Sequence, residues 1–174
     1  MADERRSEIA GREGRAVVTI PSQGLLPYGA TGFARPDDGA LPEVAHREFR
    51  AALHHAARTA RGRVAASEPR AYPQTFHRAV LTDRLGAAHT VLGHCHLRWV
   101  AFVDGSHDLH RDDFLTPPPW AAAFRHAGFE VLGRETLRLD LDHAGWDALT
   151  PVERREARYH GTRTLGGAVF NQWD

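Results

Sequence analysis

Two β-rich runs, Gln74–Thr82 and His89–Val103, stand on either side of the short segment Arg84-Leu85-Gly86-Ala87. Nothing else in the chain constrains the fold as strongly. Both alternate in character, and the glycine between them marks a turn. Neighbours of this kind pair as an antiparallel hairpin. Asp104-Gly105 ends the second run, and Gly93 inside it is a candidate bulge or bend.

The hairpin predicts a cluster. A turn of two residues, Leu85-Gly86, or of four, Arg84 to Ala87, pairs Asp83 with Ala88. His77 then faces His94, and Thr75 faces His96. His94 and His96 are two apart, so on a strand they share a face. Directly opposed residues share that face as well. His77, His94 and His96 are therefore expected on one patch. Three imidazoles around an open position form the ligand set of a catalytic zinc or another divalent transition metal. Such a metal supplies hydroxide near neutral pH. Arg98, on the same face, is the candidate to orient an anionic substrate. The polar loop Ser106–Asp113 offers Asp108 and Asp112 as bases, beside His107 and His110. The opposite face, with Val91, Cys95, Leu97, Trp99, Ala101 and Val103, is expected against the core. Glycine followed by His-X-His resembles the cupin pattern, but the glutamate that pattern requires is missing from Leu97 to Val103. The chain is not assigned to that family.

Pro42–Arg61 predicts a helix, with Pro42 at its start and Gly62 just past its end. Leu41, Ala45, Phe49, Ala52, Leu53, Ala56 and Ala60 form its buried stripe. Arg47, Arg50, His54, Arg58 and Arg61 lie opposite. Ala16–Ile20 reads as a strand, Pro21–Gly39 as a long loop and Val64–Tyr72 as a connection. Pro119–Ala127 reads as a short helix, while Phe129–Leu132 and Thr136–Leu141 read as strands. Thr150-Pro151-Val152-Glu153 is a capping box that starts another helix, and Thr164–Trp173 reads as a terminal one. The order predicts an α+β fold: an antiparallel or mixed sheet around a long central hairpin, with helices packed on one face. Residues 1–15 are expected to form a flexible N-terminal segment and 16–174 a single domain.

Composition narrows the function. Twenty-two basic side chains, all arginine, balance 22 acidic ones. A zero net charge argues against a protein built to hold nucleic acid. One cysteine, Cys95, excludes an internal disulfide and fits a reducing compartment. No apolar run is long enough to span a bilayer, so a cytoplasmic location is expected. Among 174 residues there are twelve histidines, in a chain where arginine-rich composition alone favours many at the surface. Ser22, Ser67 and Ser106 lack the G-x-S-x-G context of a serine hydrolase, and no phosphate-binding loop is present.

Two main readings follow. The first is a small enzyme or ligand-binding protein with a His-lined pocket, a metal-dependent hydrolase or lyase acting on a small anionic molecule. The second is a non-catalytic interaction module of inhibitor, immunity or adaptor type, pairing with a protein partner or as a homodimer through aromatics such as Trp120 and Trp146. A third reading is an RNA-binding accessory that uses the arginine stripe.

Overall fold

A computed structural model describes residues 26–34, 37, 39–105, 113–141 and 149–173. The predicted strand 16–20, the acidic loop with Asp108 and Asp112, and Trp146 lie outside the described residues.

The architecture is α+β. Five strands lie in sequence order in one mixed sheet: β1 (Arg63–Glu68), β2 (Phe76–Thr82), β3 (Ala88–His94), β4 (Trp99–Val103) and β5 (Glu130–Val131). The first four form an antiparallel meander, and β5 runs parallel to β4. The helices are α1 (His46–Thr59), α2 (Ala123–His126), α3 (Arg134–Leu137), α4 (Pro151–Tyr159) and α5 (Leu165–Val169), with a 3-10 turn at Pro119–Ala122.

The hairpin forms, but with a three-residue loop, which neither expected turn length provides. Asp83 bonds to Ala87 through its amide, and its Oδ1 accepts the amides of Leu85 and Ala87 at 2.8 and 3.1 Å. Gly86 takes φ +83°, the left-handed conformation that such a loop needs before the ladder resumes. Thr82 therefore pairs with Ala88, and His77 pairs with Gly93 instead of His94. The one-residue slip puts His77 and His94 on opposite faces of the sheet.

The second run is not one strand. It breaks at Cys95–Arg98 and turns back, so β4 pairs with β3, Gly93 opposite Val100. Gly93 is not a bulge. A Cβ there would stand 2.4 Å from the Phe49 ring, so the glycine lets α1 lie against the sheet. Phe49, Ala52, Leu53 and Ala56 of α1 pack on Ala79, Leu81, Val91 and Phe102. The other face is covered as well: Leu137 of α3 and Leu165 and Val169 of α5 meet Phe76, Leu92, Ala101 and Val103. Burial of each large apolar side chain contributes roughly 2 kcal/mol, so both layers matter to stability.

Other local readings differ for identifiable reasons. Arg63–Glu68 is a strand where a connection was expected; it lies at the sheet edge, largely exposed, and lacks an apolar signature. Its register shifts between Val64 and Ala66, an irregularity that discourages pairing along an open edge. Within Thr136–Leu141, Leu137 belongs to a helical turn, and Leu139 is 45% exposed. The Thr150 capping box is present: Thr150 Oγ1 accepts the Glu153 amide at 3.2 Å, and Glu153 Oε2 accepts the Thr150 amide at 2.7 Å. The terminal helix ends at Val169, and Phe170, Asn171 and Trp173 are buried against the same chain. Among the described residues, no helix is long and apolar enough to cross a membrane.

Candidate functional site

The three predicted ligands are all buried, and the fold brings His94 and His96 together, with ring centroids 5.7 Å apart, but sets His77 on the other face of the sheet from His94. His77 faces α1: its ring lies over Phe49, with centroids 5.9 Å apart. Its Nε2 donates to the carbonyl of Val44 at 2.9 Å, and its Nδ1 accepts the Arg70 amide at 3.0 Å. His94 is fully buried on the other face, against Phe170. Its Nε2 donates to the Ala30 carbonyl at 3.0 Å, and its Nδ1 accepts the amides of His96 and Leu97 at 3.1 and 3.0 Å. Carbonyls only accept and amides only donate, so both rings are neutral Nε2–H tautomers with no lone pair left for a metal. His96 stands in the β3–β4 turn, not on a strand. Its Nδ1 donates to Pro42 at 2.7 Å, which leaves Nε2 as the single lone pair among the three.

Burial is the main reason that all three resist protonation. It holds His77 and His96 below the usual imidazole value, and it pushes His94 down to about 3. Each ring is bonded to backbone groups of a neighbouring segment. His77 and His96, together with the Cys95 carbonyl that accepts the Val44 amide at 2.8 Å, fasten the segment leading into α1. His94 fastens the loop around Ala30. Among the described residues, no group of three or more histidine, cysteine, aspartate or glutamate side chains is placed to hold a metal ion. Burial also pushes the Cys95 thiol up to about 11, so it is no nucleophile at neutral pH. Arg98 does not join the histidines; it pairs with Glu48 and lies over the Phe129 ring.

A second polar network backs His94. Thr31 donates its hydroxyl to Glu153 Oε1. Asn171 Nδ2 donates to the carbonyls of Thr31 and Ala168, and Thr75 exchanges backbone and hydroxyl bonds with Asn171. These groups are buried and mutually satisfied, which suits scaffolding rather than chemistry.

An open concavity lies at the opposite end of the sheet. A cleft of about 660 Å³ is bounded by the end of α1 (Thr59, Ala60, Arg61), the β2–β3 turn (Asp83, Arg84, Leu85) and Pro118-Pro119-Trp120. Its size suits a small molecule. A smaller cleft of about 300 Å³ adjoins it at Pro118 and includes His89 and Phe102. Trp120 is half-buried between the edges of His89 and Phe102, at 5.1 and 5.5 Å. Its buried Nε1–H has no acceptor among the described residues. Asp83 is occupied: besides the turn amides, its Oδ2 accepts from His89 Nε2 at 2.9 Å, and these bonds, with the histidine bond the largest, hold its carboxyl below the usual range.

Arg61 has φ +49°, the one non-glycine residue with positive φ among the described residues. The amide of Arg61 bonds to Arg58, and that of Gly62 bonds to Ala57, which makes a Schellman end to α1. A glycine normally fills Arg61's position. Here the glycine comes one residue later, because a Cβ on Gly62 would stand 1.9 Å from the Thr82 carbonyl oxygen. Sequence reasoning placed Arg61 on a solvated stripe and Arg84 in a turn. It missed the cleft that they line with Trp120, which depends on packing between distant segments.

Comparison with known protein families, curated proteins and solved structures finds no match for this chain.

Proposed function

We propose that this protein binds a small anionic molecule carrying a flat ring in the cleft between the end of α1, the β2–β3 turn and Pro118-Pro119-Trp120. The observation that carries this reading is Arg61. A left-handed backbone costs an L-residue about 1–2 kcal/mol, and residues kept in that conformation cluster at functional sites. Arg61 sits there at the lip of the cleft, beside Arg84. Arg61 and Arg84 line the cleft with a single acidic residue, Asp83, whose carboxylate already accepts from His89 and two turn amides, so the lining favours a carboxylate or phosphate held by forked hydrogen bonds. Trp120 supplies an aromatic wall for stacking.

The test is a thermal-shift screen of nucleoside monophosphates and aromatic carboxylates, with calorimetric titration of any hit. At least one compound is expected to bind, and Arg84→Ala is expected to weaken it ~10-fold, the scale of a lost hydrogen bond to a charged group. Failure of the whole panel to bind, or undiminished binding by Arg84→Ala, would overturn the reading.

A further inference from the structure

Away from the cleft, the sheet brings together a serine and a histidine that the sequence separates by 21 positions. Ser67 pairs with Ala79 on the face of β1 that looks toward α1. His46 is the first residue of that helix. Its Nε2 lies 2.9 Å from Ser67 Oγ, and both residues are half-buried.

We propose that Ser67 is a nucleophile with His46 as its general base, acting on small carboxylic esters. A hydroxyl within hydrogen-bond reach of an imidazole is the minimal arrangement for nucleophilic catalysis. The ring must be neutral to accept the proton, and its surroundings keep it so: burial lowers its proton affinity, helped by His77, whose ring is 5.2 Å away, and by Arg50. Ser67 Oγ bonds to the ester's carbonyl carbon as its proton passes to His46 Nε2. Collapse then breaks the bond to the alcohol oxygen, and the alcohol departs with that proton. Water next attacks the acyl-serine, giving a proton to His46. The acid leaves, and the proton returns to Ser67 Oγ.

The start of α1 also carries free donors. The first amides of a helix lack partners within it. Those of Val44 and Ala45 are taken, by the Cys95 carbonyl and by Glu48 Oε2. Those of His46 and Arg47 find no acceptor among the described residues, and they are the candidates to meet a developing oxyanion.

The test is intact-protein mass spectrometry after exposure to a fluorophosphonate probe, with peptide mapping and p-nitrophenyl acetate turnover in parallel. The expected result is a single adduct on Ser67 and ester turnover that is lost in Ser67→Ala. His46→Gln keeps a polar partner for Ser67 but removes the base; labelling should slow ~100-fold, the scale of general-base assistance, while the melting temperature stays close to that of the native protein. Absence of an adduct on the native chain, an adduct on another residue, or full-rate labelling of His46→Gln would each overturn the proposal. The native-chain result stands even where a variant folds poorly.

Discussion

Nε2 of His94 donates to the carbonyl oxygen of Ala30, 64 positions away in the chain and 3.0 Å away in space. The same ring holds the β3–β4 turn through two amides at Nδ1. One buried side chain thus joins the loop around Ala30 to the centre of the sheet. His94→Leu keeps the approximate volume but strands an acceptor and two donors. We expect a loss of about 3 kcal/mol, read as a lower urea midpoint at an unchanged slope. An unchanged midpoint would show that the ring is a passive filler.

Acid should loosen the fold through the same groups. His94 titrates at about 3 when folded and near 6.5 when unfolded, and His46, His77 and His96 are lowered in the same direction. Between these values the unfolded chain binds more protons, so stability rises with pH there. The contribution is fully present above pH 6.5 and is lost as pH falls toward 3. Denaturation at pH 7, 6 and 5 should give steadily lower stability, with a shallower slope in His94→Leu. A flat profile over that range would contradict the assignment of neutral buried rings.

Gly93→Ala tests how α1 sits on the sheet. The added Cβ meets the Phe49 ring at 2.4 Å. Overpacking of this kind costs about 1–3 kcal/mol. Phe49→Leu should recover part of that loss in the double variant, a coupling that a double-mutant cycle of melting curves measures. Strict additivity would place the strain elsewhere.

Arg61→Gly should have opposite effects on stability and binding. Glycine relieves the left-handed backbone, for a gain of about 1 kcal/mol, and also removes a cation from the cleft. A higher melting temperature with weaker ligand binding is expected. A lower melting temperature would mean that the Arg61 side chain stabilises the helix end by more than its backbone costs.

Deleting Val169–Asp174 should abolish cooperative folding. Val169, Phe170 and Trp173 are buried, and Asn171 bridges Thr31, Thr75 and Ala168. A truncated chain with an unchanged melting temperature would show this docking to be dispensable.

Where local chemistry suffices, the amino-acid sequence determined the outcome: the α+β class, the helix that carries Phe49 and Leu53, the β2–β3 pairing and the Thr150–Glu153 capping box all follow from periodicity and short-range hydrogen bonding. The edge strand β1 was illegible because Val64-Ala65-Ala66-Ser67 shows no clear apolar alternation. Register was illegible because it hangs on one residue of loop length, selected by the Asp83 side chain and Gly86. That single step divides His77 from His94, and only the tertiary structure decided it. The same holds for the contact of Ser67 with His46 and for the cleft that Arg61, Arg84 and Trp120 line together. Each depends on segments far apart in the chain, brought together by core packing on both faces of the sheet, and no local pattern encodes such distances.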